Sequence, residues 1–348
     1  MSKSRWTNRP DGSNWGEFGP DDQLGRLNLV NRDKLREGLA EAREGIAFSL
    51  SLPLDLPGGT ALNPRRRPPI LRPTLRDGRV NFACEASDGS HSDVFNDDLA
   101  ILHLQYSTQW DSLAHVGALF DADGDGVPEK VFYNGFTEAD FLVPARATDA
   151  GLDGPIGTSS TSGARRLGIE NMAAHGVQGR AVMIDLRAHF GDAPRRVGHA
   201  DLLSVMEADR VTVEPGDMIC LHTGFAQRVL DMGGDPDPEV LHGACSALDG
   251  RDARLLDWIT RSGVAAIAAD NHAVEAYPAA PGDGECCSSL PLHEHCLFKN
   301  GIHLGELWHL TPLADWLREN GRSRFLLTAP PLRLPGAVGS PVTPVATV

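Results

Sequence analysis

The spacing of apolar positions divides the chain into short strands and helices. Residues 31–43 begin with Asn31, a good helix cap, and carry Leu35 and Leu39 four apart, which predicts an amphipathic helix that Gly45 ends. Residues 46–52 alternate in type and predict a strand. Residues 97–111 predict one extended strand that becomes polar along its length. Residues 179–186 and 215–225 are apolar runs entered through Gly turns, which predict buried strands, and 200–207 between them reads as a short helix. In 252–261, Leu255, Leu256 and Ile259 share one side of a helix, and 263–270 follows as a strand ending in an acid. A late strand at 325–335 is interrupted by prolines.

Strands and helices alternate without a regular βαβ period. This predicts a mixed α/β domain built round a largely β core, not a doubly wound sheet. Residues 1–45 read as an irregular arm and a helix packing on that core, and 46–348 as a single domain. The Pro-rich stretch 53–75 reads as a surface loop and a candidate lid. No internal repeat is present, and neither GxGxxG after a strand nor GxxxxGK[ST] occurs, so nucleotide cofactors have no support.

Composition narrows the function. The chain has 348 residues, 41% hydrophobic and 23% charged, which is enough for a sizeable core. With 32 basic and 47 acidic residues the net charge is −15, which argues against nucleic acid or an anionic membrane as partner. No apolar run approaches the ~20 residues that span a bilayer. The N-terminal residues lack the apolar core of a secretory signal, so the expected compartment is the cytoplasm. Six cysteines, scattered except for adjacent Cys286 and Cys287, make neither a disulfide framework nor a thiolate zinc site.

Two segments carry candidate chemistry. In an extended 103–111, His103, Gln105, Ser107, Gln109 and Asp111 share one face, which is either solvated or lines a site because burying it unpartnered is costly. His115, four residues past Asp111 in an apolar stretch, is a candidate general base. The second segment, 293–309, is rich in His and Glu, both ligands for zinc or manganese. It does not match HExxH, and if 292–299 is helical His293 and His295 face different ways, so at most one serves a given site. Residues 121–126 imitate the start of an EF-hand loop, but Phe132 stands where a bidentate Glu is required, so a turn is expected, with adventitious calcium binding as the minor alternative. The polar run Asp270-Asn-His-Ala-Val-Glu275 follows a predicted strand and either lines a site or caps the strand. Trp15, Phe18, Trp110 and Phe120 are candidate walls of an apolar substrate pocket.

The window 105–115 resembles the HxGTHxDxPxH signature of the metal-dependent cyclase-family hydrolases, which include kynurenine formamidase and isatin hydrolase. Thr108, Asp111 and His115 match; Gln105 and Gln109 replace two histidines, Ser107 replaces Gly and Leu113 replaces Pro. The QxxxQxDxxxH form is similar to that of the trans-dienelactone hydrolase branch. Residues 15–28, Tyr133-Asn-Gly, Pro215-Gly-Asp, Ala269-Asp-Asn, Leu304-Gly-Glu-Leu-Trp and 331–341 extend the resemblance nearly end to end. It implies a swivelling β/β/α fold round a barrel-like mixed sheet, assembled as a homo-oligomer, a dimer or tetramer. It maps one metal subsite to Gln105, Gln109 and Asp111, a second to Asp111, His293 and Glu306, and the acid/base to His115. Because an amide is a weaker ligand than imidazole, a single zinc or manganese on Asp111, His293 and Glu306 is the expectation, with His295 competing for the imidazole position. The implied activity is hydrolysis of a small-molecule lactone in aromatic catabolism. The alternatives are hydrolysis of a cyclic amide or formamide, and a binding protein that has lost its metal.

Overall fold

The computed structural model describes residues 5–86, 90–152, 157, 159–282 and 287–348. Nine strands form one mixed sheet: β1 (Ala47–Ser49), β2 (Gln109–Asp111), β3 (Gln178–Asp185), β4 (Met218–His222), β5 (Ala266–Ala269), β6 (His303–Glu306), β7 (Arg324–Thr328), β8 (Gly339–Pro341) and β9 (Val345–Thr347). Their order across the sheet is β1-β9-β7-β3-β4-β5-β6-β2-β8. The centre, β3 to β6, is parallel, and every outer pairing is antiparallel. This is the mixed α/β, β-centred architecture that the alternation of elements predicts.

Both faces of the sheet are covered, so its central strands read as continuous apolar runs. Along β3, Val182 and Ile184 enter one core while Ala181 and Met183 enter the other. The first core collects Leu113, Leu202, Leu255 and Ile259; the second collects Leu27, Trp110, Trp308 and Leu313. The predicted helices form as α1 (Arg32–Leu39), α2 (His199–Ala208) and α3 (Ala253–Ser262), and a further helix, α4, spans Thr311–Glu319. Asp252 caps α3 through the N–H groups of Arg254 and Leu255, and Gly263, at φ 71°, ends it. Arg26 donates to the Ile259 and Thr260 carbonyls at its C-terminus, so the N-terminal segment is tied to the first core.

Two predicted elements differ in detail. Helix α1 does not bury Leu35 and Leu39; Leu39 is 54% exposed, while Lys34 and Gly38 face inward. Gly38 lies so close to β3 that a Cβ there would sit 2.7 Å from the Gly179 carbonyl carbon, and Lys34 reaches buried Asp217 at 3.1 Å. Close backbone approach and a buried ion pair replace the leucine face.

The single strand expected over 97–111 is two separate pieces. Asp98–Ile101 pairs with Ile70–Pro73 in an exposed arm, and only Gln109–Asp111 joins the sheet. Between them the chain turns, with the Tyr106 N–H on the His103 carbonyl. The Thr108 hydroxyl binds the Leu307 carbonyl and accepts the Leu52 N–H, which anchors the start of β2. Within 53–75, residues 56–58 are buried and 70–73 become a strand of the arm, so this segment is more than a surface loop. Cys286 lies outside the described residues; Cys84, Cys220, Cys245, Cys287 and Cys296 are free thiols. No helix among the described residues is long and apolar enough to cross a membrane.

Candidate metal centre

The sheet builds the site by register. Strand β2 runs between β6 and β8, with Gln109 opposite Glu306 and Asp111 opposite Gly339. Directly opposed residues project to the same face, so Gln109, Asp111 and Glu306 converge. Trp110, between them, points to the other face. It is fully buried against Trp308, with its indole N–H on the Ala329 carbonyl. His293 enters from a short helix, Pro291–His293, in front of β6.

Asp111, His293 and Glu306 offer ligand atoms that all lie within 4.8 Å of one another, and all three residues are buried. His293 Nε2 is 3.3 Å from Glu306 Oε1 and 3.9 Å from Asp111 Oδ2. Its Nδ1 meets Glu275 Oε1 at 2.8 Å, and Glu275 also accepts the backbone N–H groups of Leu292 and His293. This carboxylate fixes the imidazole tautomer and aims Nε2 at the cluster. Burial pulls the His293 pKa down, but Glu275 and Glu306 outweigh it and lift it to about 10. Burial raises the Asp111 pKa, with the Glu306 charge adding to it and the two histidines opposing.

Neither Asp111 oxygen has a hydrogen-bond partner, nor has Gln109 Oε1, whose amide nitrogen is spent on Glu306 Oε2 at 2.9 Å. A buried carboxylate without a donor is costly unless a cation meets it. Two carboxylates, an imidazole whose Nε2 faces them and a free amide oxygen, all buried together, fit a divalent ion of the zinc or manganese type. Gln105 is brought in by a glycine: a Cβ at Gly339, opposite Asp111, would collide with the Gln105 amide nitrogen at 2.5 Å. Gln105 therefore fills the space over Gly339, the register partner of Asp111, although 103–108 is not a strand.

His115 Nε2 lies 3.7 Å from Asp111 Oδ1, and its side chain is 21% exposed against 0–6% for Asp111, His293 and Glu306. It borders a groove of about 400 Å³ with Val116, Leu119 and Phe132. On the Glu306 side, a small cavity of about 40 Å³ is closed by Pro57, Thr60, Asn63 and Arg66, with Tyr106 and His272. The lid candidate thus packs over the cluster, and Arg66 donates to the Gln105 carbonyl.

Several expected participants stand elsewhere. His295 faces away, towards Thr260 at 2.9 Å and Asn300, because residues two apart on a helical stretch point to different sides. His103 binds the backbone of Arg67, and Ser107 the Pro53 carbonyl. His303 supports the Asp111 carbonyl at 3.0 Å. Trp15 is 1% exposed, with its N–H on the Phe298 carbonyl, and it packs with Phe120 and Phe298. Trp15, Trp110 and Phe120 are packing residues, and none borders either cavity at the cluster. Residues 121–126 form turns in which Asp121, Asp123 and Asp125 accept backbone N–H groups. Nothing in the local sequence singles out Glu275 beyond its place in the polar run 270–275 at a strand end.

Similarity to known proteins places the fold and the family. A solved structure described as a novel cyclase is 29% identical, with TM-score 0.73 and 97% of each chain covered. Isatin hydrolase A from Labrenzia aggregata shares the fold at 11% identity and TM-score 0.54, over 91% of this chain and 98% of its own. An isatin hydrolase bound to the product analogue thioisatinate does so at 13% and 0.52, over 88% and 93%. No curated protein sequence matches. The Cyclase family model matches residues 49–276, well over half of the sequence, and the chain belongs to that family.

Proposed function

We propose that this chain is a metal-dependent hydrolase that opens a small cyclic ester, with His115 as general base. The observation that carries the reading is the buried convergence of Asp111, His293 and Glu306, with unpartnered Asp111 oxygens and His115 3.7 Å away. Those three side chains would hold zinc or manganese, with Gln109 and Gln105 as auxiliary donors. A divalent ion held there would supply Lewis-acid activation of water, bringing its pKa towards neutral. His115 takes the proton from the attacking water and returns it to the leaving oxygen. Its exposure beside an apolar groove supports substrate entry from that side, while 57–66 keeps water from the Glu306 side. Glu275 holds His293 in place through turnover.

A lactone is favoured by the QxxxQxDxxxH spelling around Asp111, which is similar to the trans-dienelactone hydrolase form. The second reading is a cyclic amide or formamide, favoured by the shared fold with isatin hydrolases. In either case the partner is a small molecule.

Elemental analysis with chelation and add-back tests the proposal. The expected result is about one zinc or manganese per chain, metal-dependent opening of lactones ahead of cyclic amides, and loss of turnover with retained metal in His115→Ala. Metal that is absent and not regained overturns the hydrolase reading in favour of a small-molecule binding protein.

A further inference from the structure

His272 borders two cavities. One is the small space beside Glu306; the other, of about 250 Å³, is walled by Phe225, Ser246, Asn271 and His272 and reaches Glu275, with Arg196 also on its lining. Ser246 and Asn271 are 1% and 5% exposed, yet Ser246 Oγ, Asn271 Oδ1 and His272 Nε2 have no partner. Asn271 spends its amide nitrogen on the Ser246 carbonyl at 3.2 Å. Burial pushes the His272 imidazole down to about 4, so it is neutral at physiological pH, and its ring lies against Phe225 at 5.4 Å.

A buried polar atom left unpaired is costly, and native structures hold few of them. Three on neighbouring wall residues of one cavity mark a place that a ligand completes. The available chemistry specifies the ligand. Asn271 Oδ1 can only accept, so the ligand must donate; Ser246 and neutral His272 can meet either kind of group. Exposed Arg196 gives an N–H to the Pro278 carbonyl and pairs with no acid among the described residues, so it favours a carboxylate. Phe225 supplies an apolar wall.

We propose that this cavity is a binding subsite for a small organic acid carrying a hydroxyl or N–H donor. It rests on the hydrolase reading only for its place in turnover. In the opening of a lactone or cyclic amide, water's hydroxyl goes to the carbonyl carbon as the acyl C–O or C–N bond breaks. Water's remaining proton goes to the leaving oxygen or nitrogen. The product is a carboxylic acid, which ionises by releasing its proton to solvent, with a freed hydroxyl or amine, and the subsite takes that donor end.

The test is calorimetric titration of the full chain with 3-hydroxybenzoate and with benzoate, which lacks the donor. Wild type is expected to prefer 3-hydroxybenzoate roughly fivefold, and Asn271→Ala and Ser246→Ala each to reduce the preference to less than about twofold. If Asn271→Ala fails to fold, Ser246→Ala carries the measurement. Equal binding of the two probes by wild type, or a preference that survives both variants, overturns the proposal. Asp111→Asn separates the two readings. A preference retained there without turnover upholds the subsite whatever the fate of the hydrolase reading. Metal-dependent hydrolysis by a wild type without the preference overturns the subsite alone, and a preference lost in Asp111→Asn overturns it by placing the probe at the metal cluster.

Discussion

Asp111 and Asp217 are both fully buried aspartates, and the fold treats them in opposite ways. Asp217 accepts from Arg180 at 2.8 and 3.1 Å, from Lys34 at 3.1 Å and from the Glu214 N–H at 2.8 Å. Its charge is neutralised by the chain itself, and the pairing ties α1 to β3. Asp111 has no donor on either oxygen and is surrounded by Glu306, His293 and His115. A buried acid that the chain has paired is a structural joint; one left open among other ligand side chains is prepared for a cation that the chain does not supply.

The largest difference between them is expected in function. Asp111→Asn should lose metal and lower turnover on the order of 10³-fold or more, while the metal-free protein keeps or gains stability because an unpaired buried charge has gone. Full metal occupancy in that variant, measured by elemental analysis, would count against the ligand role. Asp217→Asn should do the reverse. It should cost about 3–5 kcal/mol in urea unfolding, since Arg180 and Lys34 lose their buried partner, with metal content per folded chain unchanged.

Adding zinc or manganese at about a hundredfold excess over its dissociation constant should stabilise wild type by ~2.7 kcal/mol and leave Asp111→Asn unmoved. Equal stabilisation of both would dissolve the contrast.

A further buried pair sharpens it through pH. His222 binds Asp185 at 2.7 Å and Thr311 at 3.1 Å; burial lowers its pKa, but the Asp185 bond outweighs that and holds it above the ordinary 6.5. A raised folded pKa means that its contribution is whole below 6.5 and is lost as pH rises through the raised value. The urea midpoint of wild type should therefore fall across that window, and His222→Gln should flatten the fall.

The smallest effect is expected in the arm, where Leu71 and Leu75 are 69% and 74% exposed. Replacing both with Ser should change monomer stability within about 0.5 kcal/mol. Sedimentation of the same variant reads whether the expected homo-oligomer depends on the arm.

Much of the framework was legible because it follows from local periodicity. The apolar run of β3 and the capped, Gly-terminated α3 are encoded within a few residues of themselves. Leu39 was misread because a helix's inner face was judged by hydrophobicity, whereas α1 touches the sheet through Gly38, where only the lack of a side chain allows contact. The strand over 97–111 was misread because an alternating pattern cannot reveal that its first half pairs with Ile70–Pro73 and its second half with β6 and β8.

The residues of the site divide along the same line. The sequence by itself determined which side chains were available: Gln105, Gln109, Asp111 and His115 in one segment, and His293, His295 and Glu306 in another. It also determined that Gln109 and Asp111 would share a strand face, since alternation is a local property. Only the tertiary structure decided that His293 joins the cluster and His295 does not, that Glu275 orients His293, that Trp110 serves the core, and that the Gln105 side chain lies against Gly339. The physical reason is range. Periodicity and capping act over one or two turns of chain, whereas Asp111 and Glu306 meet only once β2 is locked in register beside β6, and that register is set by pairing between distant segments.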